Sequence, residues 1–189
     1  MACGPVHSVA LTNRGRLFAC GFGDKYALGN GRSKSLSEFT EIKTKHAGKI
    51  EMITVGCSST GFVSQGRIYV VGNIGNRTYE TFTLLNCNED IADFKITEKS
   101  VLILTRKGEV LQLGEHWKDG EKMFTENPKK IEKFPPVKQI FAGTNTFFAL
   151  SENRGLFGWG DNSLGQVSAI GSKNLISTPQ SLRLTLGNS

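Results

Sequence analysis

The chain has 189 residues, of which 38% are hydrophobic and 21% charged, so it can bury a core and does not have a disordered composition. The 22 glycines against 5 prolines favour many tight turns between short strands. No stretch approaches the roughly 18 apolar residues of a membrane span, and Met1–Pro5 lacks the features of a secretory signal. We therefore expect an intracellular protein of the cytoplasm, the nucleus or both.

The formal net charge of +6 fits an acidic protein partner, nucleic acid or an anionic membrane surface, and equally a well-solvated surface. The lysines are scattered, with one denser segment at Lys129, Lys130, Lys133 and Lys138. No aromatic residues alternate with basic ones as in a base-stacking groove. Charge alone therefore does not identify the partner.

Four segments share one pattern: a small polar residue or His, an apolar strand, a turn ending in Gly, a second strand and a closing Gly. In chain order they run from His7 to Gly31, Ser59 to Gly75, Ser100 to Glu115 and Thr146 to Gln166. The turn glycines are Gly15, Gly66, Gly108 and Gly155, and the closing glycines are Gly21, Gly72, Gly114 and Gly160. Both sets recur every 40 to 50 residues or so, roughly the period of a four-stranded propeller blade.

Each hairpin is flanked by further candidate strands. Opening strands are predicted at Ile50–Ile53, Ile91–Phe94 and Val137–Ile140, while only Met1–Cys3 precedes the first hairpin. Following strands are predicted at Phe39–Ile42, Phe82–Leu85, Lys130–Phe134 and Gln180–Leu184. The chain therefore divides into four repeats of about four strands, at residues 1–49, 50–90, 91–136 and 137–186.

A four-stranded sheet with two apolar faces must be covered on both sides, and radial stacking of such sheets gives a propeller. No apolar period of helical type is sustained over a helical length. A sandwich is the other all-β solution, but it does not require a four-strand repeat. We predict an all-β fold, a partial β-propeller of four-stranded blades.

The fourth unit has the most specific sequence: Ala142-Gly143, Phe148-Ala149-Leu150 and the run from Gly155 to Gln166. It resembles the regulator of chromosome condensation repeat. The first unit matches at His7-Ser8, Ala10-Leu11, Gly15 and Cys20-Gly21, and the middle units keep the strand and glycine skeleton. The resemblance implies a seven-bladed propeller, of which this chain contains about four repeats.

No catalytic, cofactor-binding or metal-binding residue is predicted. His7 occupies the position of Ser59, Ser100 and Thr146, so we expect a structural hydrogen bond there. Asp24, Asp161 and Asn162 follow closing glycines and are expected to form side-chain-to-backbone turns. Cys3, Cys20, Cys57 and Cys87 form no C-x-x-C pair and are expected to be small buried apolar side chains.

The resemblance implies a protein that acts by binding another protein, as a regulator or guanine nucleotide exchange factor of a Ran-like small GTPase. The longer segments Gly31–Lys49 and His116–Pro136 are candidates for a projecting element. The alternatives are a scaffold module of a ubiquitin ligase, kinase or ciliary assembly, and a module that binds chromatin or nucleosomes. Self-association is also expected, with Val9, Leu11, Leu182 and Leu184 placed near the two open ends.

Overall fold

The computed structural model describes residues 1–45, 48–118, 121–132, 134–167 and 174–182. These residues form four antiparallel sheets of four strands each, and every strand pairs with its neighbours in chain order. The first two sheets contain β1 Ala2–Cys3, β2 His7–Leu11, β3 Leu17–Gly21 and β4 Leu36–Ile42, then β5 Ile50–Val55, β6 Ser58–Ser64, β7 Arg67–Ile74 and β8 Arg77–Leu84. The last two contain β9 Ile91–Ile96, β10 Ser100–Thr105, β11 Val110–Lys118 and β12 Glu121–Lys130, then β13 Val137–Ala142, β14 Thr146–Ser151, β15 Leu156–Asp161 and β16 Leu175–Leu182.

The closing glycines hold the same place in every sheet. Each pairs across the central hairpin with the small polar residue or His at the start of its repeat pattern, as His7↔Gly21, Ser59↔Gly72, Ser100↔Gly114 and Thr146↔Gly160. Their φ angles lie between +93° and +107°, a region that L side chains rarely adopt. The repeated glycine is therefore a backbone requirement of this hairpin.

The sheets pack face to face in chain order, and a separate apolar cluster fills each junction. The first junction is built around Val9, Leu28 and Phe62, the second around Val70, Phe94 and Ile103. Leu102, Ile140 and Trp159 belong to the third. This arrangement confirms the predicted all-β fold of stacked four-stranded blades.

The outer strand of the third sheet was predicted wrongly. It is β12, Glu121–Lys130, rather than Lys130–Phe134, and in the fourth sheet β16 begins at Leu175 rather than at Gln180. Nearly every residue of β12 is exposed, so no alternation of apolar and polar residues marks it in the sequence. Leu184 lies outside the described residues.

Of the residues expected near the open ends of the stack, two lie elsewhere and one lies where it was expected. Val9 is fully buried in the first junction, where Leu11 packs against the same cluster. Leu182 pairs with Leu156 and lies on the same face as Phe148, the outward face of the fourth sheet, as expected. Strand alternation also places Phe18 on the outward face of the first sheet and Phe148 on that of the fourth.

Among the described residues, no helix is both long enough and apolar enough to cross a membrane.

Candidate functional site

The β11–β12 hairpin is longer than the corresponding hairpins of the other sheets. Strand β3 ends at its closing glycine, Gly21, whereas β11 continues past Gly114 to Lys118. The extension is fully paired with β12, for example through Trp117↔Lys122. The hairpin is therefore a regular, hydrogen-bonded projection of the third sheet.

Three large apolar side chains on this projection face solvent. Trp117, Met123 and Phe124 are 38%, 42% and 41% exposed. Strand pairing places Trp117 and Phe124 on one face of the hairpin and Met123 on the other. A single exposed apolar residue is ordinary, but several bulky ones on one hairpin are typical of an interaction surface. The hairpin is thus the most distinctive exposed feature of the described chain.

A cleft of about 850 Å³ lies between this hairpin and β16 of the fourth sheet. Its volume is within the range of ligand-binding clefts, about 300–1,000 Å³. The apolar floor includes Trp159, Phe147 and Ile176. The rings of Trp159 and Phe147 are stacked with centroids 5.4 Å apart, and Phe134 packs on Trp159 at the same centroid distance. Trp159 is only 4% exposed, so the floor is rigidly packed.

Hydrogen bonds fix the wall formed by the third sheet. The Ser100 hydroxyl and the Gln112 side-chain amide both donate to the main-chain oxygen of Glu115, the amide at 3.2 Å. The Glu115 carboxylate is largely buried and forms an ion pair with Lys122, at 2.8 Å. This wall presents its polar groups in a fixed geometry.

Charged side chains surround the cleft, and several are already paired. Lys130 donates to Glu109 at 2.8 Å, and this hydrogen bond raises the pKa of Lys130 and lowers that of Glu109. The main-chain N–H of Ser163 donates to Asp161 and is the largest of the interactions that lower the pKa of that carboxyl. Lys99 and Lys129 also line the cleft, and neither forms an ion pair with a described residue.

His7 lies far from this cleft, in the first junction. Its Nε2 is 2.9 Å from Oγ1 of Thr60, whose hydroxyl donates to the main-chain oxygen of Ala27. Because that hydroxyl proton is used, Nε2 of His7 is the donor in the first bond. Burial lowers the pKa of His7 and outweighs the opposing hydrogen bond with the Ser59 backbone. His7 is therefore a neutral structural residue, as its repeat position predicted.

The other structural residues singled out in the sequence have mixed outcomes. Ser100 and Thr146 donate to main-chain oxygens across their hairpins, as expected. The Ser59 hydroxyl, expected to do the same, is buried and has no hydrogen-bond partner among the described residues. The side chains of Asp161 and Asn162 accept backbone N–H bonds from Ser163 and Val167, which confirms both turns. The Asp24 carboxylate instead accepts from the hydroxyl of Ser33.

The expectation of buried cysteines is wrong. Cys3 is exposed, and Cys20, Cys57 and Cys87 are half-buried. Burial raises the pKa of Cys57 and that of Cys87, so both are thiols rather than thiolates at neutral pH. Within the described ranges, no group of His, Cys, Asp or Glu side chains is arranged to hold a metal ion.

Of the two segments proposed to project, the structure extends only one as a hairpin. Gly31–Lys49 contains β4, which pairs along β3 as the outer strand of the first sheet. His116–Pro136 contains the extended β11–β12 hairpin. The sequence reasoning had not singled out Trp117, Met123 or Phe124. Their sequence signal is three bulky apolar residues in an otherwise charged and polar segment.

Comparison with known proteins agrees with this architecture. Residues 137–166, which include β13 to β15, match the family model of the regulator of chromosome condensation (RCC1) repeat. This chain carries a regulator of chromosome condensation repeat. Human X-linked retinitis pigmentosa GTPase regulator is 28% identical over 188 residues, covering 99% of this chain and 15% of that protein. Human probable E3 ubiquitin-protein ligase HERC6 is 28% identical over 173 residues, covering 90% of this chain and 14% of that protein.

Solved structures show the same blade arrangement. Human WBSCR16 superposes with a TM-score of 0.84 at 21% identity, over 96% of this chain and 52% of that one. Prp20p from Saccharomyces cerevisiae, studied for its binding to Gsp1p and histones, superposes with a TM-score of 0.82 at 21% identity. The match covers 98% of this chain and 50% of Prp20p. The chain thus has the fold of a partial β-propeller and spans about 15% of the length of these two curated relatives.

Proposed function

We propose that this chain is a protein-binding part of an RCC1-type propeller that regulates a small GTPase. The observation that carries the proposal is the extended β11–β12 hairpin, which presents exposed Trp117, Met123 and Phe124 beside an apolar cleft. Large apolar and aromatic residues are enriched where binding energy is concentrated in protein interfaces. The relative that covers 99% of the chain is itself a GTPase regulator, which supports the partner class.

The chain would act by binding and not by chemistry of its own. A regulator accelerates nucleotide exchange when it binds the nucleotide-free GTPase more tightly than the nucleotide-bound form. A projecting hairpin suits that task because strand pairing already orders its backbone, which lowers the ordering cost on binding. On this proposal the hairpin supplies the contact and the stacked sheets hold it in place.

The test is release of a fluorescent guanine nucleotide from a panel of purified small GTPases, with and without the chain. The key variant is Trp117→Ala with Met123→Ala, which removes two exposed side chains and leaves the strand pairing intact. Leu164→Ala is the control, since Leu164 is 89% exposed in the loop that follows β15. We expect one GTPase to release nucleotide faster, and the effect to be lost in the hairpin variant and kept in the control.

Other outcomes are equally informative. If a GTPase binds the chain but does not release its nucleotide faster, the binding role stands and the exchange activity is contradicted. Failure of the whole panel to bind would contradict the GTPase assignment. Equal loss in the hairpin variant and in Leu164→Ala would contradict the role of the hairpin.

A scaffold role is the second candidate, because HERC6 is a ubiquitin ligase in which the matched region is 14% of the chain. A non-catalytic module would bind its partner through the same hairpin and leave nucleotide release unchanged.

A chromatin role is favoured by the net charge of +6 and by the histone binding studied for Prp20p. Binding to reconstituted nucleosomes over a range of salt concentrations tests it, since phosphate contacts weaken steeply with salt.

A further inference from the structure

The cleft between the β11–β12 hairpin and β16 contains a buried hydrogen-bond donor with no acceptor. Nε1 of Trp159 is shielded from solvent and finds no partner among the described residues, although Trp159 is 4% exposed and lines the cleft. Buried polar groups in folded proteins are nearly always hydrogen-bonded. The indole N–H therefore lacks an acceptor, and an acceptor on a bound molecule reaches it only when the side chains that shield it move aside.

A buried acceptor lines the same cleft. The side-chain nitrogen of Asn145 donates to the Glu98 carboxylate at 2.8 Å, which fixes the amide orientation because a carboxylate only accepts. Its side-chain oxygen is shielded from solvent and has no donor among the residues that the structure describes. One free donor and one free acceptor match the C=O and N–H groups of a peptide backbone.

The charge at the rim indicates the kind of peptide. Lys122 and Lys130 are paired with Glu115 and Glu109, so their charges are largely used within the chain. Lys99 and Lys129 line the cleft without an ion-pair partner in the described part of the chain, although the charge of Lys99 contributes to lowering the pKa of the Asp161 carboxyl in the same lining. Acidic side chains of a ligand would form ion pairs with these two lysines.

From these observations we infer that the cleft binds an extended acidic peptide segment of a partner protein. A bulky apolar side chain of the segment packs on the Trp159 and Phe147 floor, its backbone bonds the Trp159 N–H and the Asn145 oxygen, and flanking carboxylates contact Lys99 and Lys129. The inference rests on the proposed protein-binding function and specifies the chemistry of the segment that is bound.

The test uses the full chain as bait for a random dodecapeptide phage library, followed by fluorescence anisotropy with the selected peptides. The variants are Trp159→Phe, which removes the N–H and keeps a smaller aromatic ring, and the double variant Lys99→Glu with Lys129→Glu. Lys34→Glu, at an exposed lysine in the loop before β4, is the control for one charge reversal away from the cleft. Thermal melting of each variant checks that its fold is intact.

We expect the selected peptides to contain a bulky apolar residue flanked by Asp or Glu. Trp159→Phe should weaken their binding roughly two- to tenfold, the net worth of one hydrogen bond. The double lysine variant should weaken it by about tenfold and flatten its salt dependence, and Lys34→Glu should change it least. Selection of basic or purely apolar peptides, no selection at all, or wild-type binding by Trp159→Phe would overturn the inference.

The outcome separates this inference from the proposed function. If no acidic peptide binds, but the Trp117 and Met123 variant still loses a GTPase partner, only the peptide inference fails. If acidic peptides bind in a cleft-dependent manner and no GTPase responds, only the GTPase assignment fails.

Discussion

Replacing Gly160 by Ala should destabilise the fourth sheet strongly. Gly160 has a φ of +103°, and a Cβ there would overlap the main-chain oxygen of Asn145 and lie 3.1 Å from Cα of Thr146. That oxygen cannot move away freely, because it accepts the N–H of Asp161 at 2.9 Å. The substitution therefore combines backbone strain with a clash against a hydrogen-bonded main chain.

The magnitude follows from those two costs. A non-glycine residue in a sparsely populated backbone region costs about 1–3 kcal/mol, and forcing an extra carbon into a packed site costs about 1–3 kcal/mol. We expect the free energy of unfolding to fall by about 2–6 kcal/mol, a large part of the roughly 5–15 kcal/mol of a typical domain. Gly160→Val should be worse, because its branched side chain adds atoms at the same position.

Gly165→Ala is the matched control in the same sheet. Gly165 also has a positive φ, +75°, but a Cβ there would meet no atom within 4 Å. It should lose only the strain, about 1–2 kcal/mol. Urea denaturation followed by the fluorescence of buried Trp159, the neighbour of Gly160, measures both variants. Equal losses in the two variants would show that the close approach of Asn145 does not matter.

Further predictions concern other parts of the chain. His7→Ser should reduce the loss of stability on acidification. The pKa of His7 is lower in the folded state than the value of about 6.5 in the unfolded state, so its contribution to stability is present above the unfolded pKa and is lost as the pH falls through the folded pKa. Denaturation at neutral and at acidic pH measures this difference. Phe62→Ala should cost about 3–5 kcal/mol, because Phe62 is fully buried in the first junction. Arg106→Ala should change stability by about 0–1 kcal/mol in the same assay, since its ion pair with Asp90 is exposed. The chain studied alone should self-associate with rising concentration in sedimentation experiments, and a monomer at every concentration would contradict this.

The central hairpins were predictable because their determinants are local. Gly72 and Gly114 are required by the backbone at their own positions, so their spacing in the sequence records the spacing of the hairpins. The buried strands carry apolar residues for the same reason: β10, with its run Val101–Leu104, is buried at every position between two neighbouring sheets. Local requirements of this kind can be seen in a single sequence.

The candidate site was not predictable in the same way, because it depends on how two repeats pack together. Gln112 and Trp159 line one cleft, yet they belong to different sheets and to different repeats. Neither the free N–H of Trp159 nor the free oxygen of Asn145 has a sequence signature, since each follows from what surrounds the group in three dimensions. The repeat pattern fixes the positions that every blade shares. A function specific to this chain should therefore lie where a blade departs from the pattern, as the third sheet does in its extended hairpin and in the cleft that the hairpin forms with the fourth.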